Sequence, residues 1–333
     1  MNIFLTGISG LLGTNLIIDL LEKGHYVKGF IRDKSRYKGP SHQNLELIQG
    51  TFSDDLKPLL NDIDIVIHAA AETNQHLIHY ADYSAVNYEA TIRLMEAAVN
   101  SKIRKFIFVS TTNTLGFGSL DKLGDEQKKI RYPFSASFYA KSKLEAENYL
   151  LKQNAKTEVI IVNPGFIIGA YDSKPGSGRI ILRGLNKKII FYPCGGKSFV
   201  HVRDVAQGII NCLEKGKNGE KYLLVNENLS YLEFYRKLNA ITSQHPVMIK
   251  IPRLVLIAMG YCGDLIKVLG IKTSISSVNM RILGIENFYS NKKSVLELGM
   301  KYQSIDSAIT EAVNYFLEKK NRANKVSQDK NLF

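Results

Sequence analysis

Cysteine is scarce in this chain of 333 residues: Cys194, Cys212 and Cys262 are far apart and odd in number. No CxxC pair and no cluster of histidine with cysteine occurs, which argues against both a disulfide framework and a zinc site. We therefore expect buried thiols, a reducing cytoplasmic location and no bound metal.

Acidic residues are the minority charge, because 44 Lys and Arg against 31 Asp and Glu give a formal net charge of +13. An excess of this sign suits nucleic acid, an anionic membrane or a phosphorylated ligand. The basic residues are dispersed, however, and form neither a stripe interleaved with aromatics nor a known nucleic-acid module. We expect mainly a solvated lysine-rich surface, with a smaller part serving an anionic ligand and no nucleic-acid partner.

Long uninterrupted apolar runs are also missing, and a membrane span needs about 20 apolar residues. The apolar start of the chain lacks a basic n-region and contains Asp19 and Glu22, so no signal peptide is expected. The stretch Leu254–Ile271 is interrupted by Asp264 and Lys267. We expect a helix facing the core there, with a helix at a membrane surface as the alternative.

The pattern that is present is an alternation of short apolar strands with amphipathic helices. Strands are predicted at 2–6, 25–32, 45–50, 64–70, 105–110 and 158–163, and helices at 11–22, 82–99 and 135–151. Strands apolar on both faces belong in a parallel sheet covered by helices. The predicted fold class is therefore α/β, a Rossmann-type doubly wound parallel sheet with a smaller mixed α/β carboxyl-terminal substrate lobe.

The alternation weakens after about residue 163, which sets the predicted domain boundaries. Residues 1–168, with about 199–216 returning to them, form the predicted NAD(P)-binding domain. Residues 169–198 and 217–319 form the predicted substrate-binding lobe, and residues 320–333 form a frayed tail because they are polar and without periodicity.

Three glycines lie between the first strand and the first helix, in the spacing G-x-x-G-x-x-G. Gly7 permits a tight turn, Gly10 lets a pyrophosphate approach the backbone, and Gly13 lets the helix pack closely against the sheet. The helix amino terminus then faces the anion. This position in the chain indicates dinucleotide binding.

The end of the second predicted strand bears on which dinucleotide is bound. An acidic residue there would hold a ribose 2′-hydroxyl, whereas an arginine suits a 2′-phosphate. Arg32 comes first and Asp33 follows, with Arg36 and Lys38 adding positive charge. The sequence favours NADP, with NAD as the alternative if Asp33 turns toward the ribose.

Tyr139 stands four residues before Lys143 in a predicted helix, so the two side chains share a face. A neighbouring ammonium favours phenolate and lowers the pKa of a tyrosine. The pair therefore predicts acid/base chemistry, with a solvated helix face as the ordinary alternative.

With its motifs in order, the chain resembles the extended branch of the short-chain dehydrogenase/reductase superfamily. The matching stretches are TGISGLLG (6–13), HAAA (68–71), VN (86–87), STTNTLG (110–116), YAKSK (139–143), NPGFIIG (163–169) and FVHVRDVA (199–206). Their order and spacing make the resemblance specific, although each stretch alone is weak.

The resemblance implies roles for individual residues. Tyr139 is the expected general acid and base, Lys143 holds the nicotinamide ribose and lowers the tyrosine pKa, and Thr111 hydrogen-bonds the reacting oxygen, unless the register slips to Ser110 or Thr112. Thr51 and Phe52 depart from the acidic and aliphatic pair that contacts adenine in the family. The implied cofactor-binding residues are Gly7, Gly10, Leu11, Leu12, Gly13, Arg32, Thr51, Phe52, Ala69, Ala70, Ala71, Asn87, Tyr139, Lys143 and Pro164.

Two branches of the superfamily compete. Sugar-nucleotide epimerases and dehydratases usually have glycine after the catalytic tyrosine and an arginine before the strand at 199, where this chain has Ala140 and Lys197. Gly195-Gly196 and the NPG stretch resemble the dihydroflavonol reductase-like branch. The expected function is thus an NADP-dependent oxidoreductase acting on a carbonyl or alcohol of a small molecule.

Two alternatives stay open at this point. One is a sugar-nucleotide epimerase or dehydratase with bound NAD, and the other is a non-catalytic nucleotide-sensing protein that kept the fold. The resemblance also implies a homodimer through the helices that carry Asn87 and Tyr139. His68 and His201 are interpreted as structural.

Overall fold

A parallel sheet of seven strands organises the computed structural model, which describes the backbone of residues 1–330 and the side chains of residues 1–321. The strands lie in the order β10-β6-β5-β4-β1-β2-β3. Their bounds are β1 Asn2–Thr6, β2 Tyr26–Ile31, β3 Leu45–Gln49, β4 Ile65–His68, β5 Lys105–Val109, β6 Glu158–Pro164 and β10 Lys221–Leu224. The chain order reverses between β1 and β4, which confirms the predicted doubly wound fold and places its ligand crevice at their carboxyl ends.

Helices cover both faces of this sheet, so its central strands are buried on both sides. One apolar cluster packs the sheet against α1 and α6, and a second packs it against α3 and α4. The helices of this domain are α1 Leu11–Glu22, α2 Tyr80–Ser84, α3 Ala90–Asn100, α4 Phe138–Leu151, α6 Val202–Glu214 and α10 Lys292–Leu298. A π-helical turn at Ala85–Glu89 joins α2 to α3, within the helix predicted at 82–99.

The smaller lobe contains two minor sheets and four helices. One sheet joins β7 Phe166–Ile168, β9 Gly196–His201, β11 Glu227–Ser230 and β13 Glu286–Asn287, and the other pairs β8 Ile189–Pro193 with β12 Val247–Ile251. The lobe helices are α5 Arg179–Gly184, α7 Tyr231–Ile241, α8 Arg253–Val268 and α9 Ser277–Leu283. The last helix, α11 Ile305–Lys330, packs its first turns on this lobe.

The boundaries differ from the predicted ones in several places. α10 packs with the main sheet although it falls within 217–319, and β7 and β9 join a lobe sheet although they fall within or overlap the ranges predicted for the NAD(P)-binding domain. β10 pairs with β6 in the main sheet, although residues 217–319 were assigned to the lobe. The prediction missed this pairing because strand pairing between distant segments leaves no local signal in the sequence. α11 runs through Lys330, where a frayed tail from residue 320 was expected; extending an existing helix costs little compared with starting one. The remainder of that predicted tail, 331–333, lies outside the described residues.

The predicted helix within 254–271 exists as α8, but it does not face the core as expected. Only Leu256, Gly260 and Gly263 of α8 are buried. Within residues 1–330 no helix combines the length and the hydropathy that crossing a bilayer requires.

Candidate active site

The glycine turn after β1 has the geometry that its spacing predicts. Gly7 has φ +78°, and a Cβ there would lie 2.6 Å from the backbone of Ala69 and Ala70. A Cβ on Gly13 would lie 2.2 Å from the Gly7 oxygen, so α1 packs on the turn itself. A Cβ on Gly10 would meet only that oxygen, at 3.4 Å, so the space above the helix start is open.

The first turn of α1 is suited to an anion. Gly10 caps the helix without a side-chain hydrogen bond, and the first turn carries no acidic residue. Leu11 is half-buried and Leu12 is buried in the core, so these residues face the crevice with backbone rather than side chain. The free N–H groups and the helix dipole favour a bound pyrophosphate here.

A directed chain of hydrogen bonds fixes the neighbouring loop after β4. Ala70 N–H donates to Thr6 Oγ1 at 3.2 Å, and Thr6 Oγ1 lies 2.7 Å from His68 Nδ1. His68 Nε2 lies 3.0 Å from Thr91 Oγ1, which donates to the Asn87 carbonyl. Burial, and secondarily the charge of Lys143, lower the pKa of His68 to about 3. His68 is therefore a neutral, packed residue, and Ala69, Ala70 and the exposed Ala71 form the crevice wall.

Arg32 and Asp33 differ sharply in their contacts at the end of β2. Asp33 accepts hydrogen bonds from Ser35 N and Oγ and pairs with Arg36 Nε at 3.2 Å. Asp33 is thus occupied by its own turn, and these hydrogen bonds lower the pKa of its carboxyl. Arg32 is exposed, and within residues 1–321 no hydrogen bond or ion pair engages its side chain.

The two residues expected near adenine are engaged locally. Thr51 Oγ1 lies 3.1 Å from Asp54 Oδ1, and Thr51 N donates to the other oxygen of that carboxylate. Phe52 packs edge-on against Phe30 and His68, with ring centroids 5.4 and 5.5 Å away. Phe52 therefore belongs to the wall of the apolar cluster, and Thr51 is exposed beside it.

Asn87 joins the crevice loop to the helix of the tyrosine. Its Oδ1 accepts from Glu72 N at 2.8 Å, and its Nδ2 donates to the Glu72 carbonyl and to Ser142 Oγ, each at 3.0 Å. Ser142 in turn donates to the Tyr139 carbonyl. Asn87 lies in the π-helical turn, fully buried, and its contacts are those of a positioning residue.

Tyr139 lies at the start of α4, and the side chain of Thr111, two residues beyond the end of β5, interacts with its phenol and acts to lower the pKa of that phenol. Ser110 Oγ instead donates to Glu147 Oε1, and Thr112 offers its carbonyl to Tyr289. The register left open by the sequence therefore falls on Thr111 as the hydroxyl beside the phenol. Burial raises the pKa of Tyr139 to about 12, and the interaction with Thr111 only partly offsets this rise.

Lys143 is fully buried one turn along α4 and does not lower that tyrosine pKa as expected. Its Nζ donates to the Val109 carbonyl at 2.7 Å and lies 3.8 Å from the centre of the Phe108 ring. Burial lowers the pKa of Lys143 to about 7, against the opposing effect of Glu147. Burial is the main influence on the pKa of Tyr139, and Lys143 is not among its causes, so the expected lowering is not seen in this structure.

Glu147 is a residue of the site that the sequence reading missed. It is fully buried, and its Oε1 lies 2.5 Å from Ser110 Oγ, 2.7 Å from Thr114 Oγ1 and 2.8 Å from Asn163 Nδ2. Its other oxygen pairs with Lys221 of β10. Tyr139, Lys143 and Glu147 recur every four residues, and this spacing was the signal that could have revealed it.

Pro164, which was predicted to contact the cofactor, is the last residue of β6; it is buried and lies opposite Leu224 of β10. Lys197 of β9 lies over the Phe166 ring at 5.4 Å, and burial lowers the pKa of Lys197 to about 8. No acidic partner of Lys197 occurs among the described side chains. Among them, likewise, no three of His, Cys, Asp and Glu come together as a metal site.

The structure thus brings Thr111, Tyr139 and Lys143 together at the crevice that the glycine turn borders. Residues 3–226 match the profile of the NAD dependent epimerase/dehydratase family. The chain belongs to this family. The family's name and its relatives mark it as a NAD(P)-dependent enzyme, consistent with the crevice described above.

Individual members of the family are similar over nearly the whole chain. A protein of Synechocystis sp. (strain ATCC 27184 / PCC 6803 / Kazusa) named "Putative dihydroflavonol 4-reductase" is 28% identical, covering 94% of each chain. Sterol demethylase protein B of Methylococcus capsulatus is 24% identical, covering 96% of this chain and 99% of the relative.

Solved structures share the architecture as well. The crystal structure of gox2253 has a TM-score of 0.80 and 29% identity, covering 95% of this chain and 98% of that one. A UDP-glucuronic acid 4-epimerase from Bacillus cereus, solved as a Y149F mutant with NAD, has a TM-score of 0.76 at 20% identity, covering 96% and 99%. The latter likeness concerns the fold.

Proposed function

We propose that this protein is an NADP-dependent oxidoreductase that reduces a carbonyl of a small molecule, or oxidises the corresponding alcohol. The observation that carries the proposal is the phenol of Tyr139 beside the side chain of Thr111, which follows the carboxyl end of β5. A protein that only sensed nucleotides would have no use for a proton donor placed there.

The residues present fit a nicotinamide dinucleotide. The open start of α1 takes the pyrophosphate, Ala69 to Ala71 line the crevice, and Lys143 binds the nicotinamide ribose. When bound, the reduced cofactor supplies the hydride. Because Lys143 is buried with a pKa of about 7, an anionic ligand close to it would favour its charged form.

The chain's own contribution to reduction is to orient the oxygen and to move the proton. The Thr111 hydroxyl holds the carbonyl oxygen next to the phenol, and the Tyr139 hydroxyl donates its proton to that oxygen. For alcohol oxidation the same phenol accepts the proton. Asn87 and Glu147 hold the two elements that carry these hydroxyls.

The preference for NADP rests on the contrast at the end of β2. Asp33 is engaged by Ser35 and Arg36, whereas Arg32 is exposed and has no partner among the side chains of residues 1–321. An unengaged guanidinium suits a 2′-phosphate, which it can bind with two parallel hydrogen bonds.

NADPH consumption with a panel of aldehydes and ketones tests the activity, and hydrophobic ketones are included because one relative is named a sterol demethylase protein. Tyr139→Phe should bind NADPH normally and lose about 10²- to 10⁴-fold in turnover. Tyr83→Phe is the matched control, because Tyr83 lies with its ring 6.5 Å from that of Tyr139 but donates to the Asn74 carbonyl. Binding without turnover of any carbonyl by either protein would favour a nucleotide-sensing role.

Dissociation constants for NADPH and NADH test the cofactor preference separately. Arg32→Ala should weaken NADPH binding by about tenfold or more and leave NADH binding unchanged. Asp33→Asn should change neither strongly. Equal affinities for both cofactors, unaltered in Arg32→Ala, would remove the case for NADP.

A sugar-nucleotide epimerase or dehydratase with bound NAD is the second candidate. It is favoured by the family match and by Lys197, a half-buried residue that keeps a positive charge where those enzymes usually have arginine and has no acidic partner among the side chains of residues 1–321. Incubation with UDP- and dTDP-sugars, followed by product chromatography, distinguishes the two. The free cysteines are consistent with a reducing cytoplasm. We also propose a homodimer through the helices that carry Asn87 and Tyr139, which sedimentation would measure.

A further inference from the structure

Helix α8 presents its large apolar side chains to solvent, which is the reverse of an ordinary surface helix. Its buried stripe consists of Leu256, Gly260 and Gly263. A Cβ on Gly260 would lie 2.7 Å from Ser277 Cα, and one on Gly263 would lie 2.3 Å from the Ile275 oxygen. The helix is therefore attached by a close backbone approach of two glycines and by Leu256, and most of its other bulky side chains point outward.

The outward residues form what we call the α8 surface. They are between 38% and 81% exposed, and they make up nine of the 21 exposed large apolar side chains found among residues 1–321: Leu254, Val255, Met259, Tyr261, Leu265, Ile266, Val268, Leu269 and Ile271. Scattered single residues of this kind are normal on a monomer, but a contiguous set marks an interaction site.

The ribbon that leads into α8 shows the same property. Ile189 lies opposite Val247, and Phe191 lies opposite Ile249, so all four side chains share one face of the β8–β12 pair. All four are exposed, although the other face of the ribbon packs on the lobe core through Ile190 and Met248. An ordinary two-stranded ribbon would place polar side chains on its outer face.

Basic residues flank the α8 surface at both ends. Lys250 and Arg253 stand at its amino-terminal end, and Lys267 and Lys272 at its carboxyl-terminal end. The acidic residue between them, Asp264, accepts from the Ser277 backbone N–H with both oxygens, as a cap for α9. Apolar side chains flanked by lysine and arginine are the features of a helix that lies in an interface with anionic lipid.

We propose that the α8 surface docks the protein on an anionic lipid bilayer, with α8 lying in the plane of the interface. A second copy of the chain is the less suitable occupant, because a two-fold contact places the same surface on both partners and would bring their basic residues together. The net charge of +13 adds attraction to an anionic membrane at longer range.

A series of contacts links the α8 surface to the candidate active site. Arg281 of α9 donates to Tyr261 at 2.8 Å and stacks near Tyr132, which precedes the turn leading into α4 and Tyr139. A docked lobe would place that segment near the bilayer. The docking proposal stands independently of the proposed reaction, since it can be measured without turnover.

The absence of tryptophan from the chain makes a clean test available. Leu265→Trp places the only tryptophan on the α8 surface, and Leu296→Trp places it on α10, at similar exposures of 64% and 71%. The probes are vesicles of phosphatidylcholine alone and vesicles containing phosphatidylglycerol. We expect a blue shift and quenching by brominated lipid for the α8 reporter with anionic vesicles, and neither for the α10 reporter.

Charge variants measured by vesicle flotation complete the test. Lys267→Gln with Lys272→Gln should lower the partition coefficient by roughly 25-fold, at about fivefold for each charge near the surface, and added salt should weaken binding. Circular dichroism checks that each variant is folded. The proposal would be overturned if the protein did not bind vesicles. It would also be overturned if sedimentation showed a dimer that Leu265→Asp dissociates, while vesicles left the tryptophan reporter unchanged.

Discussion

Replacing Glu147 by glutamine removes a buried negative charge without changing the size of the side chain. The carboxylate accepts hydrogen bonds from Ser110, Thr114 and Asn163 with one oxygen and pairs with Lys221 through the other. A glutamine keeps one oxygen for the neutral donors but turns an amide toward Lys221. Removing one member of a buried ion pair typically costs about 3–5 kcal/mol, and we expect about 3 kcal/mol here because Lys221 is partly solvated.

Guanidinium denaturation followed by far-UV circular dichroism measures this loss in the free energy of unfolding. Glu145→Gln on the same helix is the control and should cost below about 1 kcal/mol, because Glu145 is only half-buried. In a double-mutant cycle with Lys221→Met, the coupling should exceed about 1 kcal/mol. A loss below about 1 kcal/mol for Glu147→Gln, or a coupling near zero, would refute the anchoring role.

Three further predictions concern the crevice. Gly13→Ala should weaken NADPH binding at least about tenfold, since its Cβ would lie 2.2 Å from a backbone oxygen. Gly176→Ala, which has open space around it, should leave NADPH binding unchanged, and calorimetry measures both variants. Since the pKa of Lys143 is about 7, its amine is mostly neutral near pH 8, and cofactor binding at that pH should take up a proton. Calorimetry in buffers of different ionisation enthalpy measures this uptake, and equal binding heats in all buffers would contradict it. Thr111→Val should lower kcat by about 10²- to 10³-fold, and Thr112→Val should not; equal effects would contradict the register.

Local features of the sequence were the most informative. The glycine turn follows from three residues and a strand boundary, and the Tyr139–Lys143 face follows from helix periodicity. The register at Ser110, Thr111 and Thr112 could not be read because all three carry hydroxyls, and only the packing of α4 against β5 decides which one meets the phenol.

Features that depend on distant pairing were missed. β10 joins β6 in the main sheet, and Lys221 on that strand supplies the partner of Glu147, across 74 residues of chain. α8 was expected to face the core because its residues are apolar. Which stripe of an apolar helix packs is set by its partner, and here Gly260 and Gly263 allow a close approach that leaves Leu254 and Leu265 outside.

Deuterium transfer tests the central claim most directly. Wild-type protein and Tyr139→Phe are incubated with NADPH deuterated at nicotinamide C4 and the carbonyl panel, and the products are weighed by mass spectrometry. We predict an alcohol carrying one deuterium from the wild type, and at least about 100-fold less from Tyr139→Phe at unchanged NADPH affinity. Wild-type protein that binds NADPH and labels no carbonyl, or a Tyr139→Phe variant that labels one equally fast, would contradict the account.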